Sequence, residues 1–268
     1  MKRLNLMIRL ILIAAFIFLA GRADAETFAM DAHMGYGSFE YEEQDSDTEA
    51  ESTSDIFVFG VSGEYSLTKD FYLGLNADWG FSGKDAEEWK ISGVKVQTND
   101  MKVRVQYYDL RFGYKNNMER LLWKIYISGG WDGQHIEKDA FVVGGVPISF
   151  SINEQDLSLW RVGLGTSAQY KAGPWSIDGH FSYAGYFEGK GESSVLPGID
   201  FDAEGNRWDF NCGVSYEIAK NISIRLGVLY SLIDLSKSDI VTGPGWATVF
   251  PKIKTRTTAG TFGVNYQF

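Results

Sequence analysis

The sequence predicts an all-β fold: a transmembrane antiparallel up-and-down β-barrel of about ten strands. Three observations predict it. Segment after segment alternates apolar and polar side chains with period two, which gives a pleated strand one greasy wall and one polar wall. Aromatic residues make 15% of the chain, and Gly 30 stands beside only Pro 5, as expected for aromatic girdles around a crowded interior. Lys2, Arg3 and Arg9 precede the apolar run Leu10 to Leu19, which ends in Ala23-Asp24-Ala25 and reads as a secretory leader. That run is shorter than the ~20 residues a spanning helix needs, which disfavours a retained anchor. The leader then occupies residues 1–25 and the barrel residues 26–268. A mean hydropathy of -0.17 agrees with this, since a barrel wall shows lipid only one residue in two.

The first strand runs from about Phe28 to Tyr41, with Phe28, Met30, Ala32, Met34 and Tyr36 on one face. The second sets Phe57, Phe59, Val61, Tyr65 and Leu67 outward against Val58, Ser62 and Glu64 inward. Thr68-Lys69-Asp70 turns the chain into a third strand, where Phe71, Leu73, Leu75, Trp79 and Phe81 oppose Tyr72, Asn76 and Asp78. A polar loop over about 83–101 leads to the fourth strand, with Tyr108, Leu110, Phe112 and Tyr114 outward and Asp109 and Arg111 inward. Strand five shows Trp123, Ile125, Ile127 and Trp131 to the outside, and a second long loop reaches Asp156. Strands six and seven, around Trp160 to Tyr170 and Trp175 to Tyr186, are joined by Lys171-Ala172-Gly173-Pro174. Strands eight and nine, Arg207 to Ile218 and Ile222 to Leu232, turn at Ala219-Lys220-Asn221. The tenth carries Phe262, Val264, Tyr266 and Phe268 on one face and Thr261, Asn265 and Gln267 on the other.

Short turns thus alternate with long polar connections, as a barrel inserted from one side requires. A soluble sandwich would also alternate, but its polar faces would not carry Arg and carboxylate at so many mid-strand positions. The inward set includes Asp78, Asp109, Arg111, Arg161, Asp178, His180, Arg207, Asp209, Glu217 and Arg225. In a barrel this narrow, opposite charges would pair into a plug, with a narrow pore as the other possibility. Lone Cys212 on an apolar face packs rather than reacts.

The formal net charge is -10, and removing a leader with Lys2, Arg3, Arg9 and Arg22 against Asp24 leaves about -13. That excludes a basic stripe for nucleic acid and favours basic peptides or cations as partners. The acidic residues concentrate between Glu40 and Asp55, which reads as a solvated loop tip. Asp45, Asp47, Glu49 and Glu51 there are candidates for weak cation capture, although the stretch lacks the glycine-punctuated spacing of a calcium loop, so no metal site is assigned. Three later loops, Gly144-Gly145-Val146-Pro147-Ile148, Val195-Leu196-Pro197-Gly198-Ile199 and Gly243-Pro244-Gly245-Trp246, set Pro/Gly turns among apolar residues and are expected to pack together over the mouth.

Ten strands, a leader, tall walls and the terminal run Ala259 to Phe268 resemble the omptin family of outer-membrane endoproteases. The better patches are Tyr108-Asp109-Leu110, Val162 to Tyr170, Phe181 to Tyr186 and the last strand. The resemblance implies a Gram-negative outer membrane with the long loops extracellular. It also implies contact with outer-membrane lipid, a lipopolysaccharide requirement, no other cofactor, and assembly through the terminal Phe268. Omptins cut with two carboxylates on one side of an extracellular cleft and an Asp-x-His dyad on the other. By position the first side falls on Asp85-Ala86-Glu87-Glu88-Trp89, where Glu87 and Glu88 replace the family's Asp-x-Asp-Trp. The second side should lie near Glu188 to Ser194, which contains no His. Asp178-Gly179-His180 has the right types but sits deeper, near mid-membrane, while His33 and His135 stand isolated. The expected function is therefore structural or surface binding through the long loops. An endoprotease using Glu87, Glu88, Asp178 and His180, or a small-solute channel, are the alternatives.

Overall fold

The computed structural model describes residues 28–148, 152–243 and 246–267. The leader and Phe268 lie outside them. Fifteen strands follow in order: β1 (Phe28–Asp45), β2 (Thr48–Ser66), β3 (Phe71–Ser82), β4 (Asp85–Ile91), β5 (Val94–Met118), β6 (Leu121–Val143), β7 (Val146–Pro147), β8 (Asn153–Ala172), β9 (Trp175–Ser193), β10 (Asp200–Asp202), β11 (Gly205–Ala219), β12 (Ile222–Leu235), β13 (Val241–Gly243), β14 (Trp246–Thr248) and β15 (Lys252–Gln267). Ten of them form a ring, β1-β2-β3-β5-β6-β8-β9-β11-β12-β15. It is closed by an antiparallel seam of β1 on β15 that runs from Ala29↔Gln267 to Gln44↔Lys252. Closure removes both sheet edges, so every wall strand has its backbone groups paired on each side. The expected ten-stranded antiparallel barrel is what forms.

Alternation drives the closure. On the outer wall Phe59 stacks on Trp79 at 4.9 Å and Tyr108 on Trp131 at 5.7 Å. These rings, with Trp160 and Trp208, make one aromatic girdle. Trp123, Tyr170, Trp175, Tyr216 and Tyr266 make the other, with Trp175 and Tyr216 4.7 Å apart. Along β6 the girdles are marked by Trp123 and Trp131, which is about 26 Å of strand and less along the tilted barrel axis. That spacing suits the ~25 Å apolar band of a membrane barrel. Between them Leu110, Ile127, Val162, Leu164, Ile177 and Leu226 stand exposed on the outside.

Above the upper girdle the wall continues well past the strand ends read from sequence. The stretch 40–55 is not a loose tip: β1 and β2 pair without a break up to Asp45↔Thr48, turning at Ser46-Asp47. The stretch 83–101 is likewise a hairpin, in which β4 extends the line of β3 between β2 and β5 and turns at Ser92 (φ 49) and Gly93 (φ 79). β6 reaches Val143, turns at Gly144 (φ 56) and Gly145 (φ 82), and β8 starts at Asn153 rather than near Asp156. Two consecutive left-handed residues are what a tight two-residue hairpin needs, which explains Ser-Gly and Gly-Gly at these tips. These segments are polar on the outside, so they looked like loops. Inward side chains in and beside them, Phe39, Tyr41, Ile56 and Met101, pack into the core and hold them as walls.

Those inward residues form the core, and it lies inside the tall end of the barrel. Phe39, Tyr41, Ile56, Met101, Val103, Ile136, Leu159, Ile233, Leu235 and Ile253 are each at most 1% exposed, and every one belongs to a wall strand. Phe201 of β10 and Phe250, whose rings lie 5.4 Å apart, roof it. Of the three Pro/Gly stretches expected to cover the mouth, Leu196 and Ile199 pack on this core, Val146 stays exposed at its hairpin tip, and Pro244 and Gly245 of the third lie outside the described residues.

The seam tolerates little added bulk. A Cβ on Gly37 would collide with the Thr258 carbonyl oxygen across the β1–β15 seam. Gly37→Ala is expected to cost about 1–3 kcal/mol, read as an earlier urea midpoint for the refolded barrel.

Candidate functional sites inside the barrel

The tall end positions the acidic pair on β4. Neighbouring residues of a strand point to opposite faces, and here that separates them. Glu88 projects outward and accepts a hydrogen bond from Lys95 Nζ at 2.7 Å, which lowers its pKa from the ordinary value. Glu87 projects inward and is fully buried. Its Oε2 accepts from Asn99 Nδ2 at 2.7 Å and from Trp89 Nε1 at 3.0 Å, and its Oε1 lies 2.9 Å from Lys138 Nζ. Lys138, also fully buried, donates to Glu43 Oε2 at 2.7 Å and sits against the rings of Tyr41 and Trp89. Burial alone would lower its pKa, but Glu43 and Glu87 more than offset that and hold the ammonium above its ordinary value. Burial, then the neighbouring charges of Glu43 and Glu87, push the Tyr41 phenol up as well. The two glutamates therefore do not form a pair aimed at one water. Glu87 anchors the β4–β5 hairpin to the core instead.

The cation candidates are also accounted for individually. Asp45 pairs with Lys237 at 2.5 Å, and Glu51 with Lys90 at 2.6 Å. Glu40 and Glu42 both accept from Arg256, at 2.9 and 2.6 Å. Asp47 and Glu49 stay exposed on the hairpin tip. No group of three acidic, His or Cys side chains is gathered to hold a metal among the described residues.

Below the core lies a layer of alternating charge. Asp132, with no exposure, accepts from Arg161 Nε at 3.0 Å and from Tyr186 Oη at 2.7 Å, and lies 3.0 Å from Arg207 Nη1. Arg161 reaches on to Asp109 at 2.9 Å and Arg207 to Asp209 at 2.9 Å. This is the salt-bridge plug expected from the inward residues, with Asp132, which was not among them, as its central member. The interior histidines occupy its lower side. His33 lies 3.1 Å from Asp31 Oδ1 and 3.1 Å from Asp78 Oδ1, so it is not isolated. His135 is outside the barrel, 2.8 Å from Asp156. His180 stacks on Tyr126 with its Nε2 3.1 Å from the Tyr126 hydroxyl, while Asp178 is held by Arg225 at 2.6 Å. Glu87 is level with Asn99 of β5, and Tyr126, the contact of His180, is level with Gly113. Fourteen residues of strand at ~3.3 Å each, about 46 Å, separate the two levels. The four candidate catalytic residues are not brought together.

A closed antiparallel ring with a greasy outer wall, two aromatic girdles and an ion-paired interior defines an integral membrane β-barrel protein. Residues 10–268 match the family model described as outer membrane protein beta-barrel domain, and the chain belongs to that family. In fold it is omptin-like. The crystal structure of outer membrane protease OmpT from Escherichia coli superposes with a TM-score of 0.67 at 10% identity, covering 91% of this chain and 97% of that one. The transport unit of autotransporter AIDA-I from Escherichia coli gives a TM-score of 0.45 at 9% identity over 92% of each chain. The attachment invasion locus protein Ail of Yersinia pestis gives 0.34 at 11% identity, over 91% of this chain and 99% of that one. No curated protein matches by sequence.

Proposed function

We propose that this protein is a closed, non-catalytic outer-membrane barrel. Its long hairpins stand outside the cell as a rigid binding surface, and its short turns lie in the periplasm. One observation carries the reading: the volume enclosed by the tall walls is packed with fully buried Phe39, Tyr41, Ile56, Leu159 and Ile253, and Glu87 is consumed as the partner of Lys138. Water activation needs a carboxylate and a base within hydrogen-bond reach of one solvent-filled point, and at this end Glu87 is buried against Lys138 and faces no histidine. A through-pore is disfavoured for the same reason.

The outer wall suits a cationic partner. Glu42 lies directly across from Glu51, with Glu49 and Asp47 beyond them at the tip, so like charges face each other on an exposed surface. Arg256 and Lys90 offset part of that charge from the flanking strands, leaving the tip as the acidic end. Outer-membrane lipid and lipopolysaccharide would contact the aromatic wall below.

The test is cleavage of peptides with paired basic residues by refolded protein with lipopolysaccharide present. No turnover is expected, alongside salt-sensitive binding of the same peptides that weakens on Glu49→Gln. Turnover abolished by Glu87→Gln or His180→Ala would overturn the reading.

A further inference from the structure

The end of the barrel opposite the apolar core is open, and its chemistry is unlike that of the rest of the chain. A vestibule of about 1020 Å³ enters from the short turns and narrows toward Arg111, Tyr126 and His180. It continues into a further space of about 340 Å³ beneath the ion layer. The core above makes this a blind funnel. In a chain of net charge -10 the vestibule carries an excess of cations: Lys115, Lys124 and Lys171, on the consecutive wall strands β5, β6 and β8, line it with Arg111, and Lys69 and Lys220 stand at its mouth, against the carboxylates Asp31, Glu64 and Glu217.

Their pairing is incomplete. Lys115 and Lys124 are directly opposite each other across β5 and β6, an arrangement that is unfavourable for like charges. One carboxylate, Glu64, serves both: it lies 3.5 Å from Lys115 and is also hydrogen-bonded by Lys124, whose ammonium sits over the Tyr72 ring. Lys171 and Lys220 have no ion-pair partner among the described residues, and Lys69 has only Asp70 at 3.9 Å. Arg111, deeper in, is tied to Asp109 at 2.5 Å. Cations gathered in a concave site with low-dielectric walls concentrate field and raise the local concentration of anions. Polar groups make up the larger part of the lining, with Ser66, Ser167, Gln169 and Asn265 beside the lysines, which favours a charged ligand over a greasy one. The volume is at the upper end of that of small-molecule sites, ~300–1,000 Å³.

We propose that this vestibule is a binding site, entered from the short-turn end, for a small multiply charged anion of the phosphate or polycarboxylate type, gripped by Lys115, Lys124 and Lys171. The same chemistry occurs on lipid head groups. The lysines point into the lumen, however, and the wall separates them from the lipid, so the site takes a soluble anion. The proposal does not depend on what the opposite end binds.

Calorimetric titration of the refolded protein with inorganic pyrophosphate, in zwitterionic detergent at low salt, tests it. Saturable one-site binding is expected, weakened about tenfold by K124M and by K171M, since each removes one charge-assisted hydrogen bond. K95M, at the far end, should leave it unchanged. K171M alters an exposed side chain at the mouth, so it reports on binding even if K124M fails to fold. Absence of binding at millimolar pyrophosphate, or equal binding by K171M and wild type, would overturn the proposal. So would a signal that appears only when phosphatidylglycerol is added to the micelles, because that would assign the lysines to lipid.

Discussion

Replacing Lys138 by methionine is expected to destabilise the barrel by about 3–5 kcal/mol, measured by urea unfolding of the refolded protein in micelles. The substitution keeps most of the side-chain volume and its packing against Tyr41 and Trp89, so the loss isolates the charge. What remains is Glu43 and Glu87, one nearly and one fully buried, facing each other without a cation. The β4–β5 hairpin, fastened by Glu87 and Asn99, should loosen first, exposing amides of residues 85–101 to hydrogen exchange. Adding Glu43→Gln and Glu87→Gln to the same chain should recover most of the loss, because no uncompensated charge is left. The pH dependence has a definite sign. The Lys138 pKa in the folded protein lies above 10.5, so its contribution is complete below pH 10.5 and fades only as pH rises through the higher folded value. An unchanged urea midpoint for Lys138→Met would show that the ammonium is not what holds Glu87.

Much of this was legible in the sequence, and the rest failed for identifiable reasons. Period two located all ten wall strands and the faces of Asp109, Arg161, Arg207 and Asp209, because in the lipid belt one face must be greasy and the contrast is strong. Above the belt the outer face meets water rather than lipid and is polar, so Glu40 to Asp55 and the stretch 83–101 read as loops. The signal was there on the inner face: Phe39, Tyr41, Ile56 and Val58 alternate, as do Met101, Val103 and Val105. Lys138 shares the parity of Asp132, Gln134 and Ile136, which would have placed it inside, but a lysine in an apparent loop gives no hint of burial. Nor could the order of residues show that Glu87 and Glu88 face apart, since that depends on β4 being a strand. The partners of His33 come from two strands, one of them its own, and the nearer one was within reach of the sequence: Asp31 is two residues away on the same face.

Removing Asp132 should cost a comparable 3–5 kcal/mol and yet leave the barrel shut. Asp132 is the middle carboxylate of the series Asp109, Arg161, Asp132, Arg207, Asp209, and it also takes the Tyr186 hydroxyl. Asp132→Ala leaves two guanidiniums sharing a layer with one carboxylate each and strands the phenol, whereas Asp209→Ala removes one partner of Arg207 and a longer bond from Ser182 at 3.3 Å, and should cost less. Ion pairing links the neighbouring strands β5, β6 and β8 and reaches across β9 to β11, so the loss should appear as a cooperative shift of the whole unfolding transition. If this layer were the seal, its rupture would open a conducting path. The apolar core stands above it, however: it meets Asp132 through the Tyr186 hydroxyl, and Phe39, Tyr41, Ile56, Leu159 and Ile253 remain to pack the lumen. Reconstituted Asp132→Ala should therefore show no stable single-channel steps despite its lower urea midpoint. Discrete conductance in this variant but not in wild type would mean that charge, rather than packed hydrocarbon, closes the lumen, and the proposed blind vestibule would then have to be a gated pore.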